Sequence, residues 1–117
     1  DGVRIAGVLI EAGPLPTETL LEWGTPGSTF KGSAQRPGTL HDVFVRVGGR
    51  STPQEWKKAQ IMIRLNSGHV IGDNLWLWRA DHEGSGHDGG EIQVEGGANP
   101  CDNGLVVNGD DVTVYGL

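Results

Sequence analysis

Apolar residues fall in short runs along this chain and never form a helical stripe. Val8-Leu9-Ile10, Val43-Phe44-Val45, Ile61-Met62-Ile63 and Leu75-Trp76-Leu77-Trp78 are separated by stretches rich in glycine, asparagine and aspartate. No segment repeats apolar positions every three to four residues, so the pattern predicts an all-β chain with helix in the minority. Residues 69–82, HVIGDNLWLWRADH, organise the rest. Two apolar runs meet there at Asp73-Asn74, and the second alternates leucine with tryptophan. A strand turns successive side chains to opposite faces, so Leu75 and Leu77 share one face and Trp76 and Trp78 the other. The strand then runs into Arg79-Ala80-Asp81-His82, a polar cluster beside an aromatic surface and a candidate ligand site.

Aligning the strands on their turns reveals a repeat. Val3-Arg4-Ile5-Ala6-Gly7 leads into Val8-Leu9-Ile10-Glu11, and Gly38-Thr39-Leu40-His41-Asp42 into Val43-Phe44-Val45-Arg46. Val70-Ile71-Gly72-Asp73-Asn74 leads into Leu75-Trp76-Leu77-Trp78, and Val112-Thr113-Val114-Tyr115-Gly116 into Leu117. The register therefore restarts near 3, 38, 70 and 112. A third strand follows in each unit, at 20–23, 61–65 and 105–107. Asn66 precedes Val70 by the same interval as Asn108 precedes Val112, with Gly68 and Gly109 close behind. Asparagine at matching turns can bond to the turns above and below while tolerating left-handed backbone.

Three short strands per unit with asparagine at one corner describe a solenoid of parallel strands, one domain over 1–117 with about three coils. Val8, Ile10, Val43, Val45, Leu75 and Leu77 would face inward, with Ile61, Ile63, Leu65, Leu105 and Val107 on a second inner face. An antiparallel sandwich is the alternative, but it gives no reason for turn residues to recur in register. Loops 12–19, 48–59 and 80–103 all follow the second strand and should crowd one edge, where repeat proteins often bind. Segment 25–37 belongs to the first unit alone. Thr52-Pro53-Gln54-Glu55 carries the signals of a helix start, predicting one or two turns to Lys58.

Composition narrows the partners. The net charge is -6, and the 9 lysines and arginines form no basic stripe, which disfavours nucleic acid and anionic membrane and fits a neutral or cationic partner. Cys101, the single cysteine, has no internal disulfide partner and reads as an inert loop thiol. No apolar run reaches the length of a membrane span, and no signal peptide is visible. A chain that begins at Asp1 and has Met62 as its methionine reads as processed or as a fragment, and loss of a secretion signal is one ordinary route to that state. The expected location is extracellular.

The words LNSGHVIGDNLWLWRADHEGSG and DNGLVVNGDDVTVYGL resemble secreted right-handed parallel β-helix proteins of bacteria and fungi. That group comprises the pectate-lyase-like proteins and β-helix glycoside hydrolases such as the 1,3-glucanases. Their pattern has a Trp-rich strand leading into Arg-Ala-Asp-His-Gly, then a loop, then an Asn-Gly-Asp turn before a strand ending Tyr-Gly-Leu. This chain keeps Trp76, Trp78, Arg79, Asp81, His82, Asn108, Gly109, Asp110, Tyr115, Gly116 and Leu117, and departs from the pattern at Glu83 and in its glycine-rich loop 83–103. The likeness covers roughly residues 40–117. It implies a right-handed parallel β-helix forming part of a larger helix or assembly, and a carbohydrate-active domain of an extracellular polysaccharide hydrolase or lyase, without cofactor.

Glycoside cleavage needs two carboxyl groups separated by roughly 5 to 9.5 Å. Asp81 with Asp110 or Asp111 are the candidates, resembling aspartates that β-helix glycosidases place on neighbouring coils; the alternative is that they are acidic turn residues. Trp76, Trp78 and Phe44, with Arg46, Arg79 and His82, are the candidate substrate-binding residues, because an indole face packs on the C–H face of a pyranose. The alternative there is that the rings lie under a loop, a partner or another part of the protein. Trp23 and Trp56 read as packing residues. Asp81-His82-Glu83 with His87-Asp88 match no established metal-ligand spacing and read as a solvated loop. Two further classes of function stay open: a non-catalytic solenoid that self-assembles through its open ends, and a carbohydrate-binding module that uses the tryptophans without the aspartates.

Overall fold

The computed structural model describes residues 2–48, 58–80 and 99–117. The predicted helical turns before Lys58, together with Trp56, Asp81, His82, Glu83, His87 and Asp88, lie outside these described residues. Seven strands follow one another: β1 Arg4–Glu11, β2 Thr17–Trp23, β3 Gly38–Gly48, β4 Ala59–Leu65, β5 Val70–Ala80, β6 Asn103–Val107 and β7 Thr113–Tyr115. All pairing is parallel, with one sheet ordered β1-β3-β5-β7 and the other β2-β4-β6. Strands that alternate between two sheets while each sheet grows in one direction make a coiled path, the parallel β-helix. Crossovers between parallel strands are right-handed in nearly all proteins, because strand twist favours that hand.

The expected register is observed. Leu9, Phe44 and Trp76 stand in one column, Val43 lies beside Leu75 and Val45 beside Leu77. Coils begin close to the predicted restarts, but each holds two strands where three were expected. The predicted first and second strands are one continuous strand bent at a single residue with left-handed backbone: Gly7 (φ 63°), Asp42 (φ 51°), Asn74 (φ 53°) and Gly116 (φ 74°). These four share one level, between the row Ala6, His41, Asp73, Tyr115 and the row Val8, Val43, Leu75.

The bend also shifts the alternation of faces by one residue. Leu40 and Val70 are buried before it, at even numbers, and Val43, Val45 and Leu75 after it, at odd numbers. Glycine adopts such backbone freely, and asparagine and aspartate are the side chains that reach it most readily. The Asn74 side-chain amide donates to Asp42 Oδ1 at 2.6 Å, joining the bends of neighbouring coils. His41 sits on the same level, each ring nitrogen 3.0 Å from a carboxylate oxygen, Asp42 on one side and Asp73 on the other.

At the second corner Asn108 Nδ2 donates to Asn66 Oδ1 at 2.9 Å, and Asn66 Nδ2 donates to the Gly24 carbonyl at 3.0 Å. The expected asparagine ladder is therefore present. Its left-handed residues are His69 (φ 52°) and Asp111 (φ 53°), three positions further on, rather than the asparagines themselves. The coils approach so closely here that a Cβ on Gly109 would stand 2.2 Å from the Ser67 carbonyl oxygen.

The core lies between the sheets. Leu40, Val43, Val45, Val47, Ile63 and Leu65 are fully enclosed, while Val8, Ile10, Leu77 and Leu105 are partly buried against them. Consecutive Ile61, Met62 and Ile63 are all buried, so β4 is covered on both faces. Val107 is the exception among the predicted inward residues. It pairs with enclosed Leu65 but is 46% exposed, because β6 is the outermost strand of its sheet and no described residue covers its far side. Trp23 packs over Gly38, where an added Cβ would lie 2.3 Å from the indole, and this accounts for that tryptophan as a packing residue.

Leu40→Ala should lower unfolding stability by roughly 2 to 5 kcal/mol, the usual cost of emptying an enclosed site, and Leu77→Ala by less because that side chain is only partly buried. Urea titration of the two variants measures the order. Asn66→Ala removes the bond received from Asn108 and those given to Gly24 and Glu22, and should lower stability by about 1 to 2 kcal/mol in the same assay.

Candidate functional site

Beyond the Asn74 bend, the outward face of the larger sheet carries two columns two residues apart. Leu9, Phe44 and Trp76 form the first; Glu11, Arg46 and Trp78 form the second. Apolar groups normally leave such a face to polar ones. Here Trp76 is 60% exposed, with Leu9 and Trp78 also open to solvent. Arg46 Nη2 donates to Glu11 Oε1 at 2.6 Å across the coils, and both side chains keep part of their surface in water.

Ring orientation changes the picture drawn from alternation alone. The Phe44 and Trp76 centroids are 4.7 Å apart with their planes 17° from parallel. Two nearly parallel rings at that separation cannot lie edge to edge; they are stacked face to face with an offset. Phe44 and Trp76 belong to adjacent strands, so their faces point along the helix axis, toward neighbouring coils. Trp78, two residues along β5, joins the stack, its centroid 6.0 Å from Trp76 at 24° and 6.2 Å from Phe44 at 17°. The outward aromatic column expected from alternation is thus a stack of rings along the coils. One face of Trp76 is occupied by Phe44, and the side chain is still 60% exposed.

The remaining predicted residues divide. Arg79 is exposed beside Trp78 near the end of β5, and its charge acts on Cys101. Burial pushes the Cys101 thiol pKa up, which outweighs the bond to Asn103 and the attraction of Arg79 and keeps the thiol protonated. Asp110 and Asp111 sit in the turn before β7, where the Asp110 carbonyl accepts from the His69 amide at 3.0 Å and Asp111 supplies the left-handed residue. Both are therefore joined to the start of β5. Trp76, Trp78 and the strand end at Ala80 lie across the Asn74 bend. Asp110 and Asp111 are therefore placed in a turn at the start of β5, on the other side of the Asn74 bend from the indoles. Asp81 and His82 lie outside the described residues, immediately after Ala80.

Among the described residues no group of three or more His, Cys, Asp and Glu side chains is placed to hold a metal ion. The outward register of Glu11 with Arg46 and Trp78 is the one expected from the sequence, and the structure adds the ion pair between the first two. The sequence reading missed a cleft of about 300 Å³ near the predicted loop edge, lined in part by Pro16, Glu18, Lys58, Gln60, Pro100 and Asp102.

Comparison with known proteins extends the likeness over the whole chain. Residues 1–117 match the family described as the LAM55 pectate lyase-like domain. An exo-β-1,3-glucanase of Streptomyces sp. (strain SirexAA-E / ActE) is 42% identical over 118 aligned residues, covering 100% of this chain and 17% of the glucanase. The structure of sacteLam55A from Streptomyces sp. SirexAA-E superposes with a TM-score of 0.78 at 42% identity, covering 100% of this chain and 19% of that one. A variant of sacteLam55A in complex with glucose gives a TM-score of 0.79, at the same identity and coverage. The chain thus spans less than a fifth of the length of these relatives. It belongs to the LAM55 pectate lyase-like domain family.

Proposed function

We propose that this chain is a carbohydrate-active β-helix segment of an extracellular hydrolase acting on a neutral β-1,3-linked glucan, and that the Trp76 and Trp78 layer with Phe44 contacts the polysaccharide. The observation that carries this reading is the 42% identity with an exo-β-1,3-glucanase across the entire chain. The exposed aromatic layer supports it, since burying an indole against the C–H face of a sugar is favourable and leaves the hydroxyls solvated. A net charge of -6 and an arginine neutralised by Glu11 favour an uncharged glycan over a polyanion. Asp81 is the acidic residue that the sequence sets next to this surface, and it is the catalytic candidate here. Asp110 or Asp111 is the proposed second carboxyl group.

End-on self-association is the second reading, favoured by Val107, Tyr115 and Leu117 exposed at one end and Val3 and Leu9 at the other. Native mass measurement separates it, because a concentration-dependent series of multiples of 12.4 kDa appears only if the coils stack between molecules.

Calorimetric titration with a soluble β-1,3-glucan tests the main reading. Trp76→Ala should weaken binding about 10-fold or more, roughly 1.4 kcal/mol, without changing the unfolding midpoint, since the ring is largely exposed. Unaltered affinity in that variant would remove the aromatic layer from the binding surface. Asp81→Asn should abolish glucan hydrolysis while leaving affinity and folding intact, and retained turnover would end its candidacy.

A further inference from the structure

Four side chains tie the left-handed bends of neighbouring coils together. Asn74 Nδ2 donates to Asp42 Oδ1 at 2.6 Å, and the other oxygen of that carboxylate, Oδ2, lies 3.0 Å from His41 Nε2. The second ring nitrogen, His41 Nδ1, lies 3.0 Å from Asp73 Oδ2. His41 and Asp42 are consecutive on β3, Asp73 and Asn74 are consecutive on β5, and His41 is in register with Asp73. The four therefore close a square across two coils, with His41 as the member that meets both carboxylates. Asp42 and Asn74 are also the residues at which β3 and β5 change direction, with φ of 51° and 53°. Two residues beyond these bends stand Phe44 and Trp76, the rings stacked at 4.7 Å. The square thus holds the two points from which the aromatic stack springs.

We propose that His41, with Asp42 and Asp73, is a proton-operated clamp that positions the Phe44, Trp76 and Trp78 rings for glycan. This rests on the proposed function above and names the regulation of that surface. A neutral imidazole carries one N–H and presents a lone pair at its other nitrogen, so only the protonated ring donates at both. Both nitrogens here face carboxylate oxygens, and the square is complete only in the protonated form. When the proton leaves, one nitrogen turns its lone pair toward a carboxylate and that side of the square becomes repulsive. Among the described residues, the charged and titratable groups around the ring are Arg4 on β1, which lines the same groove, Asp42 on its own strand, Asp73 on β5, and Tyr115, which follows Asp73 in the row on β7. Arginine and tyrosine ordinarily change charge well above the histidine range, and carboxylates well below it. The clamp is therefore closed on the acid side and released as pH rises and the imidazole loses its proton. Because His41, Asp42 and Asp73 are half-exposed, the release loosens the bends without unfolding the coils.

The test compares the parent chain with H41Q and H41R at about pH 5.5 and about pH 8, on either side of the ordinary histidine range. Two quantities are read: affinity for a β-1,3-linked glucose tetramer by calorimetric titration, and the near-ultraviolet circular dichroism of the ligand-free protein, which reports how the neighbouring indoles are arranged. The parent should bind roughly 3- to 5-fold more weakly at the higher pH, the scale of one or two half-exposed ion pairs, and its dichroism should change with it. H41Q does not titrate and should show the weaker affinity and the alkaline spectrum at both. H41R keeps a permanent cation with several donors and should show the tighter affinity at both. His69, 3.8 Å from Asp111 at the other corner, supplies the control, and H69N should keep the parent's pH dependence. An unfolding midpoint lowered in H41Q while the spectrum and affinity of the folded protein stay those of the parent would make the square a structural tie and overturn the proposal. A pH dependence that persists in H41Q would overturn it as well, as would a parent whose affinity and spectrum are the same at both. A parent that binds no glucan at either pH would remove the functional reading and the glycan part of the proposal, and the dichroism would still decide the clamp by the same comparison.

Discussion

Register between successive coils is the constraint on which the other features depend. A parallel ladder shifted by one residue would carry every inward side chain to solvent, and here two corners forbid that shift. One is the level of left-handed residues Gly7, Asp42, Asn74 and Gly116, tied between coils by Asn74 and Asp42. The other is the asparagine contact between Asn66 and Asn108, where the glycine turns come too close to admit a side chain. With both corners fixed, Val43 and Leu75 must meet inside, and Phe44 and Trp76 must meet outside.

The outer columns follow from that requirement. A β-helix that repeats its register also repeats its surface, so one aromatic per coil becomes a stack and one charge per coil becomes a chain of ion pairs. Opposite charges across adjacent strands are modestly stabilising, and Glu11 with Arg46, like Glu18 and Glu22 with Arg64, uses this. A stack of rings buries its faces within itself. It therefore offers ligand a layer seen from one side and a row of edges, a narrower surface than a floor of rings lying flat on the sheet.

Much of the architecture was legible because periodicity and turn chemistry are local. Alternation in Leu75-Trp76-Leu77-Trp78 gave the faces, and the spacing of Asn66 and Asn108 from Val70 and Val112 gave the corner. Alternation does not encode ring tilt, so it placed Phe44 and Trp76 on the correct face without showing that they stack. A single left-handed residue bends a strand without interrupting its ladder, and so Asp42 and Asn74 read as breaks between strands when they are hinges within them. Val107 had the inward parity of Leu65, yet parity cannot say whether a covering layer is present. Asp110 and Asp111 matched a family motif by sequence. Their position across the Asn74 bend from the indoles depends on how far β5 extends, which spacing along the chain leaves open.

Contact between glucan and the Trp76 layer is the central claim, and the indole N–H groups report on it individually. In a ¹⁵N–¹H correlation spectrum recorded during titration with a soluble β-1,3-glucan, the account predicts that the Trp76 and Trp78 indole signals move with a common saturation curve while that of Trp23, packed over Gly38, stays in place. Unmoved Trp76 and Trp78 signals at saturating glucan would contradict it.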